Sequence, residues 1–167
     1  MRVCGVDIKG SEIILCLMEM ENGLFDLPDC RQVRFPLLKD QDTEQMRKFQ
    51  FSMAKLAEDY KISKFVIRER AQKGKFAGSA IGFKIEAALQ LITSVDTVIC
   101  TNAAIKDKLA AHPIPVVFKD TGLKAFQETA FTTAYAYLIH WFGLTFSSEK
   151  NPEIRGFFHG AIYSAKK

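Results

Sequence analysis

"RVCGVDIKGSEIILCLME", residues 2–19, decides the reading of this chain. A short apolar run reaches Asp7, turns at Gly10–Ser11, and resumes as a second apolar run. Residues 2–8 and 12–20 read as two strands of a hairpin. An aspartate near the end of a strand bound for the core is costly unless something binds it. Asp7 is therefore the first candidate site residue, although it can also bond locally to the turn that follows.

Working outward, "ENG" at 21–23 is a hairpin turn signal, and a third strand is expected within 24–37, limited by Pro28 and Pro36. Asp42 or Thr43 offers a helix cap, and Met46, Phe49, Met53, Leu56 and Ala57 keep helical spacing to Tyr60. Residues 64–71 read as a short buried strand and 96–102 as another. Helices are expected over 77–92, 103–111 and 124–144. Gly78 and Gly82, four apart, predict a close backbone approach to the second helix. The order βββαβαβαα implies a mixed sheet covered on both faces. Right-handed crossovers set the strand at 64–71 beside the first, so that strand ends meet where the order reverses.

The 167 residues suffice for one domain, expected over 1–144, with a tail at 145–167 packed on it. At 48% hydrophobic the chain can build a core, yet no run of ~18 uncharged apolar residues spans a membrane. No secretory leader is visible. Cys4, Cys16, Cys30 and Cys100 have no zinc or disulfide spacing and read as reduced thiols, which predicts a cytoplasmic protein. His112, His140 and His159 are scattered, and Ser11 has no His–acid partner, so nucleophilic catalysis is discounted. Net charge is only +4, but between Lys61 and Lys84 seven basic residues face one acid, Glu69. Within that field Arg70, Lys73 and Lys75, with Gly74 and Phe76, read as a basic loop with an aromatic tip, suited to phosphates and a stacked base. Lys9 and Lys84 are expected to extend the same face.

Glu69 ends the strand at 64–71 as Asp7 ends the first, so the two acids are expected to converge. Carboxylates that meet share a proton or a cation, and Mg²⁺ or Mn²⁺ suits oxygen ligands. Paired ions of this kind serve phosphodiester cleavage.

On "GVDIKGS" (5–11), "VIRERA" (66–71) and "LKAFQETAFTTAYAYLI" (123–139), the chain resembles the RNase H-like superfamily, most closely its Holliday-junction-resolvase (RuvC-like) branch, and its length is similar to that of a small bacterial family of this fold. "GVDIKGS" also looks like the phosphate loop of sugar kinases, but those need a second domain to clamp the nucleotide. The resemblance implies a five-stranded sheet in the order 3-2-1-4-5. It also implies an acid on strand one, an acid on strand four and two on the last helix about one turn apart. Asp7, Glu69 and Glu128 answer the first three, with Asp120 as a further candidate ligand. Ala125 and Phe131 flank Glu128 where a second helix acid is implied. The expected function is a divalent-metal-dependent nuclease hydrolysing phosphodiester bonds of structured DNA or RNA, with a homodimer implied for symmetric cutting. The alternative, favoured by the missing helix acid, is a degenerate domain that binds nucleic acid or a protein partner without cleavage. A small-molecule phosphate enzyme is a third reading.

Overall fold

The computed structural model describes the backbone of residues 1–147 and side chains through Trp141. Strand β1 (Arg2–Lys9) pairs antiparallel with β2 (Glu12–Glu21), across the turn where Gly10 sits at φ +58°. Asn22 and Gly23 both take positive φ, the requirement of a type I′ hairpin turn. The single third strand expected within 24–37 is instead two short ones, β3 (Leu24–Asp26) and β4 (Arg34–Pro36). β3 pairs with the far end of β2 and β4 with its near end. Pro28, which has no N–H, falls in the stretch that leaves the sheet between them. β5 (Lys64–Arg68) joins β1 in parallel, and β6 (Asp96–Cys100) joins β5 in parallel. The sheet order β3-β2-β1-β5-β6, with β4 also on β2, is the expected 3-2-1-4-5 with its edge strand divided.

Alternation along the strands sorts the core into two layers. Cys4, Val6 and Ile8 of β1, with Phe65 and Ile67 of β5, face helices α1 (Thr43–Asp59) and α2 (Ala80–Gln90). Val3 and Val66 face α4 (Glu128–Ser147), with Cys16, Met18 and Phe25. Helix α3 (Asn102–Ala111) packs beside α4. The helices start where side-chain caps allow. Asp42 accepts from the Glu44 and Gln45 amides, Ser79 from Gly82, and Thr101 from Ala104. That is why α2 begins at Ala80, not at 77. α4 starts later than expected because residues 125–127 form a 3₁₀ turn, in which the Gln127 side chain bonds the Lys124 amide and the Leu15 carbonyl. α4 runs through the expected 144/145 boundary to Ser147; the rest of the expected tail, 148–167, lies outside the described residues.

Two close approaches hold the architecture. At Gly5 of β1, an added Cβ would overlap the Ala130 carbonyl oxygen and lie 2.9 Å from the Ala134 Cβ, so α4 lies directly on β1. At Gly82 of α2, an added Cβ would overlap the Arg70 Nη1. The Gly78/Gly82 pair therefore admits an arginine side chain, not the expected backbone. The Arg70 guanidinium lies 4.3 Å over the Phe83 ring and 3.1 Å from Glu86, with both side chains of the ion pair largely buried.

Gly5→Ala is expected to lower stability by about 3 kcal/mol, because the obstacle is backbone. Thermal unfolding by circular dichroism should then show a midpoint roughly 6–12 °C lower. Gly82→Ala should also destabilise the wild type. In an Arg70→Ala background it should be neutral or stabilising by up to ~1 kcal/mol, since alanine is the better helix former once the guanidinium is gone. A urea double-mutant cycle reads this reversal, and equal effects in both backgrounds would refute the Arg70 seat.

Candidate functional site

Asp7 lies two residues beyond Gly5 on the α4 face of β1, near the carboxyl ends of the parallel strands. It is 8% exposed, and its Oδ2 is buried without a hydrogen bond. Lys9, two residues on and therefore on the same face, brings its Nζ to 3.4 Å from that oxygen, an ion pair lacking hydrogen-bond geometry. The Lys9 ammonium, expected to be a free phosphate contact, is engaged with Asp7.

The β1–β5 register does not set Glu69 directly beside Asp7. β1 and β5 pair in parallel from Val3 with Lys64 to Val6 with Ile67. One step further sets Arg68, not Glu69, beside Asp7. Val66 belongs to the α4-facing core, so Arg68 shares its face and Asp7's. Glu69 follows the strand end and is exposed. Its amide donates to the Cys100 carbonyl, and its Oε2 accepts from the Asn102 amide at 3.3 Å, at the start of α3. A carboxylate at a helix N-terminus is favourably placed, so Glu69 has a structural partner there. The Asn102 side chain donates to the Glu69 carbonyl at 3.2 Å and accepts from Arg68 Nε at 2.7 Å.

Glu128 stands exposed in the first turn of α4. Asp120 is exposed on a separate 3₁₀ turn, Phe118–Thr121, and does not cap α4. Among the described residues, no three His, Cys, Asp or Glu side chains come together to hold a metal ion. The expected cluster of Asp7, Glu69, Glu128 and Asp120 is thus not assembled. The unbonded Asp7 oxygen suits one cation contact, but the acids around it do not form a cage for a pair of Mg²⁺ or Mn²⁺ ions.

The basic candidates divide. Arg70 is spent inside the fold on Glu86 and Phe83. Lys84 sits on α2, on the opposite side of the sheet from α4, with its ammonium 2.7 Å from Asp40. Lys73 and Lys75 are exposed on the loop 71–78, and the Phe76 ring is 86% exposed, with the Lys75 ammonium 5.8 Å from its centroid. The loop is tethered at both ends. Arg70 fastens one end to α2, and at the other the Ser79 hydroxyl donates to the Gly10 carbonyl at 2.8 Å. That bond fixes this end of the loop to the β1–β2 turn, at the residue after Lys9.

Arg68 and Asn102 escaped the sequence reading as site residues. Arg68 was countable by extending the parallel register one step from Asp7. Asn102 had no local signal, because its role depends on β5, β6 and α3 meeting.

This geometry is that of an RNase H-like fold. A Thermus thermophilus RuvC structure matches with a TM-score of 0.65 at 13% identity, over 87% of this chain and 98% of that one. T. thermophilus RuvC in complex with a Holliday junction substrate matches with a TM-score of 0.60 at 13% identity, over 86% of this chain and 96% of that one. A search of curated proteins finds no match. The family model described as "Protein of unknown function (DUF3010)" matches residues 1–137, most of the chain, and the protein belongs to that family.

Proposed function

We propose that this protein binds nucleic acid along the carboxyl end of its sheet and does not hydrolyse it. The observation that carries this is the loop 71–78. Its two ends are fixed to the fold, and it holds Lys73, Lys75 and an almost fully exposed Phe76 outward beside the β1–β2 turn. Removing an aromatic ring from water is favourable, so its exposure on a tethered, basic loop supports a stacking partner. Lysines flanking a stacking ring neutralise backbone phosphates and release their counterions. The likeness to a RuvC bound to a Holliday junction makes structured DNA the first substrate to test.

Binding without cleavage is favoured by the company Asp7 keeps. A two-ion phosphodiesterase needs several carboxylates on its metals. Here the neighbours of Asp7 are Lys9 and, by register, Arg68, while Glu69 is engaged by the start of α3. Hydrolysis assisted by Mg²⁺ or Mn²⁺ is the second reading, favoured by the buried Asp7 Oδ2 that has no hydrogen bond. In that reading Asp7 contacts the ion and Glu128, in the first turn of α4, is the next carboxylate to test. Burial pushes the Cys4 thiol well up and that of Cys16 to about 12, so both are inert. All four cysteines are free, which supports a reducing, cytoplasmic setting. No described helix is long and apolar enough to cross a membrane.

Fluorescence anisotropy with a labelled four-way DNA junction tests the main reading. Wild type should bind with a strong salt dependence. Lys73→Ala/Lys75→Ala should lower the slope of log affinity against log salt by about 2, and Phe76→Ala should cost ~1–3 kcal/mol. Absence of binding at low salt to junction, duplex and single strand would sink it. The same junction incubated with 10 mM Mn²⁺, a concentration on the order of that used to saturate weak cation sites, should stay intact. Cleavage by wild type that Asp7→Asn abolishes would establish the second reading. Sedimentation equilibrium of the free chain and of the complex reads whether the homodimer implied by the resemblance forms.

A further inference from the structure

We infer that Arg68 is a phosphate-binding residue, holding a backbone phosphate of the bound nucleic acid beside Asp7. The inference rests on the nucleic-acid-binding reading above and names a contact within that site.

Three observations converge on it. Carried one step past its last pair, Val6 with Ile67, the β1–β5 register sets Arg68 next to Asp7, on the same face of the sheet and at its carboxyl end. It is half-buried, and no carboxylate pairs with it among the described residues. By contrast, the other strand arginines have acid partners: Arg2 pairs with Glu19 and Arg34 with Glu12. Arg70, just beyond β5, is committed to Glu86. Arg68 is also preorganised. Its Nε donates to Asn102 Oδ1 at 2.7 Å, and the Asn102 amide is itself oriented by its bond to the Glu69 carbonyl. With Nε engaged, the Nη1/Nη2 edge of the fork is left for a ligand. That planar edge matches two oxygens of a phosphate.

A lone guanidinium held next to a carboxylate normally closes onto it. Here the Asp7 oxygen is approached by Lys9, the Glu69 carboxylate is taken by the Asn102 amide, and the Arg68 fork is turned to the Asn102 side chain. The two acids and two bases balance in formal charge, so the contact rests on the donors of the Arg68 fork rather than on a net positive field. A phosphodiester passing from the Phe76 loop over the end of β1 would meet this fork. Glu69 is bonded to the same asparagine, through its carboxylate and its carbonyl.

The test compares wild type, Arg68→Ala, Arg68→Lys, Asn102→Ala and Arg47→Ala in junction binding at several salt concentrations. Arg47 is exposed on α1, across the sheet from the site, and removes the same formal charge. Arg68→Ala should weaken binding roughly tenfold or more, as expected for a lost charge-assisted contact, and reduce the salt slope by about 1. Arg68→Lys should keep the slope but bind more weakly than wild type, since a point charge replaces the fork. Asn102→Ala should weaken binding with the slope unchanged, because it frees the guanidinium without removing charge. Thermal unfolding of each variant checks the fold, and Arg68→Lys keeps the comparison available if Arg68→Ala unfolds. Arg68→Ala, or Arg68→Lys in its place, binding no differently from Arg47→Ala would overturn the assignment while leaving the nucleic-acid reading intact. No junction binding by wild type would remove both.

Discussion

The contact between α4 and β1 at Gly5 governs the rest of the molecule. A helix backbone can lie on a strand only where the strand has no side chain, and Ala130 and Ala134 supply the matching small surface. From that point the pleat does the placing. Asp7 is two residues further along, so it faces the same helix layer and is buried by it. Val3, two residues before Gly5, joins the core beneath α4 with Phe25, Phe131 and Tyr135, where Phe25 meets the other two rings edge-on. The same alternation sends Cys4, Val6 and Ile8 to α1 and α2.

A second consequence of the pleat is chemical. With β5 parallel to β1, a change of one residue in register exchanges which side chain stands beside Asp7. The observed register, carried one step on, brings a cation there, and the carboxylate one residue further bonds the Asn102 amide at the start of α3. Two motifs with an acid at the end of a strand therefore do not make a cluster of acids. The end of β1 becomes a mixed site, one buried carboxylate among basic groups, bordered by a basic loop that Arg70 and Ser79 pin in place. On the binding reading proposed above, such a site holds an anionic backbone, whereas a family of carboxylates would hold cations.

Much of the scaffold is legible in the sequence. The β1–β2 hairpin, the cap at Asp42 and the parallel placement of β5 follow from apolar periodicity, turn residues and the handedness of crossovers, and the sheet order from the family resemblance. A single third strand is expected because residues 24–37 carry only proline as a break. Alternation does not reveal that the chain must leave the sheet around Pro28 before returning to the other end of β2. Gly78 and Gly82 were read correctly as a place of close approach, but spacing cannot say whether a backbone or a guanidinium arrives.

The sequence by itself determined most of the elements, their alternation into layers and the candidacy of Asp7, because these depend on local periodicity and on short connections. Tertiary structure alone decided which charges meet. The pairing of Arg70 with Glu86, of Lys84 with Asp40 and of Arg68 with Asn102 joins residues 16, 44 and 34 positions apart. Long side chains choose among partners by the register and helix packing that bring them within reach. Those are properties of the assembled sheet, and no local pattern in the chain encodes them.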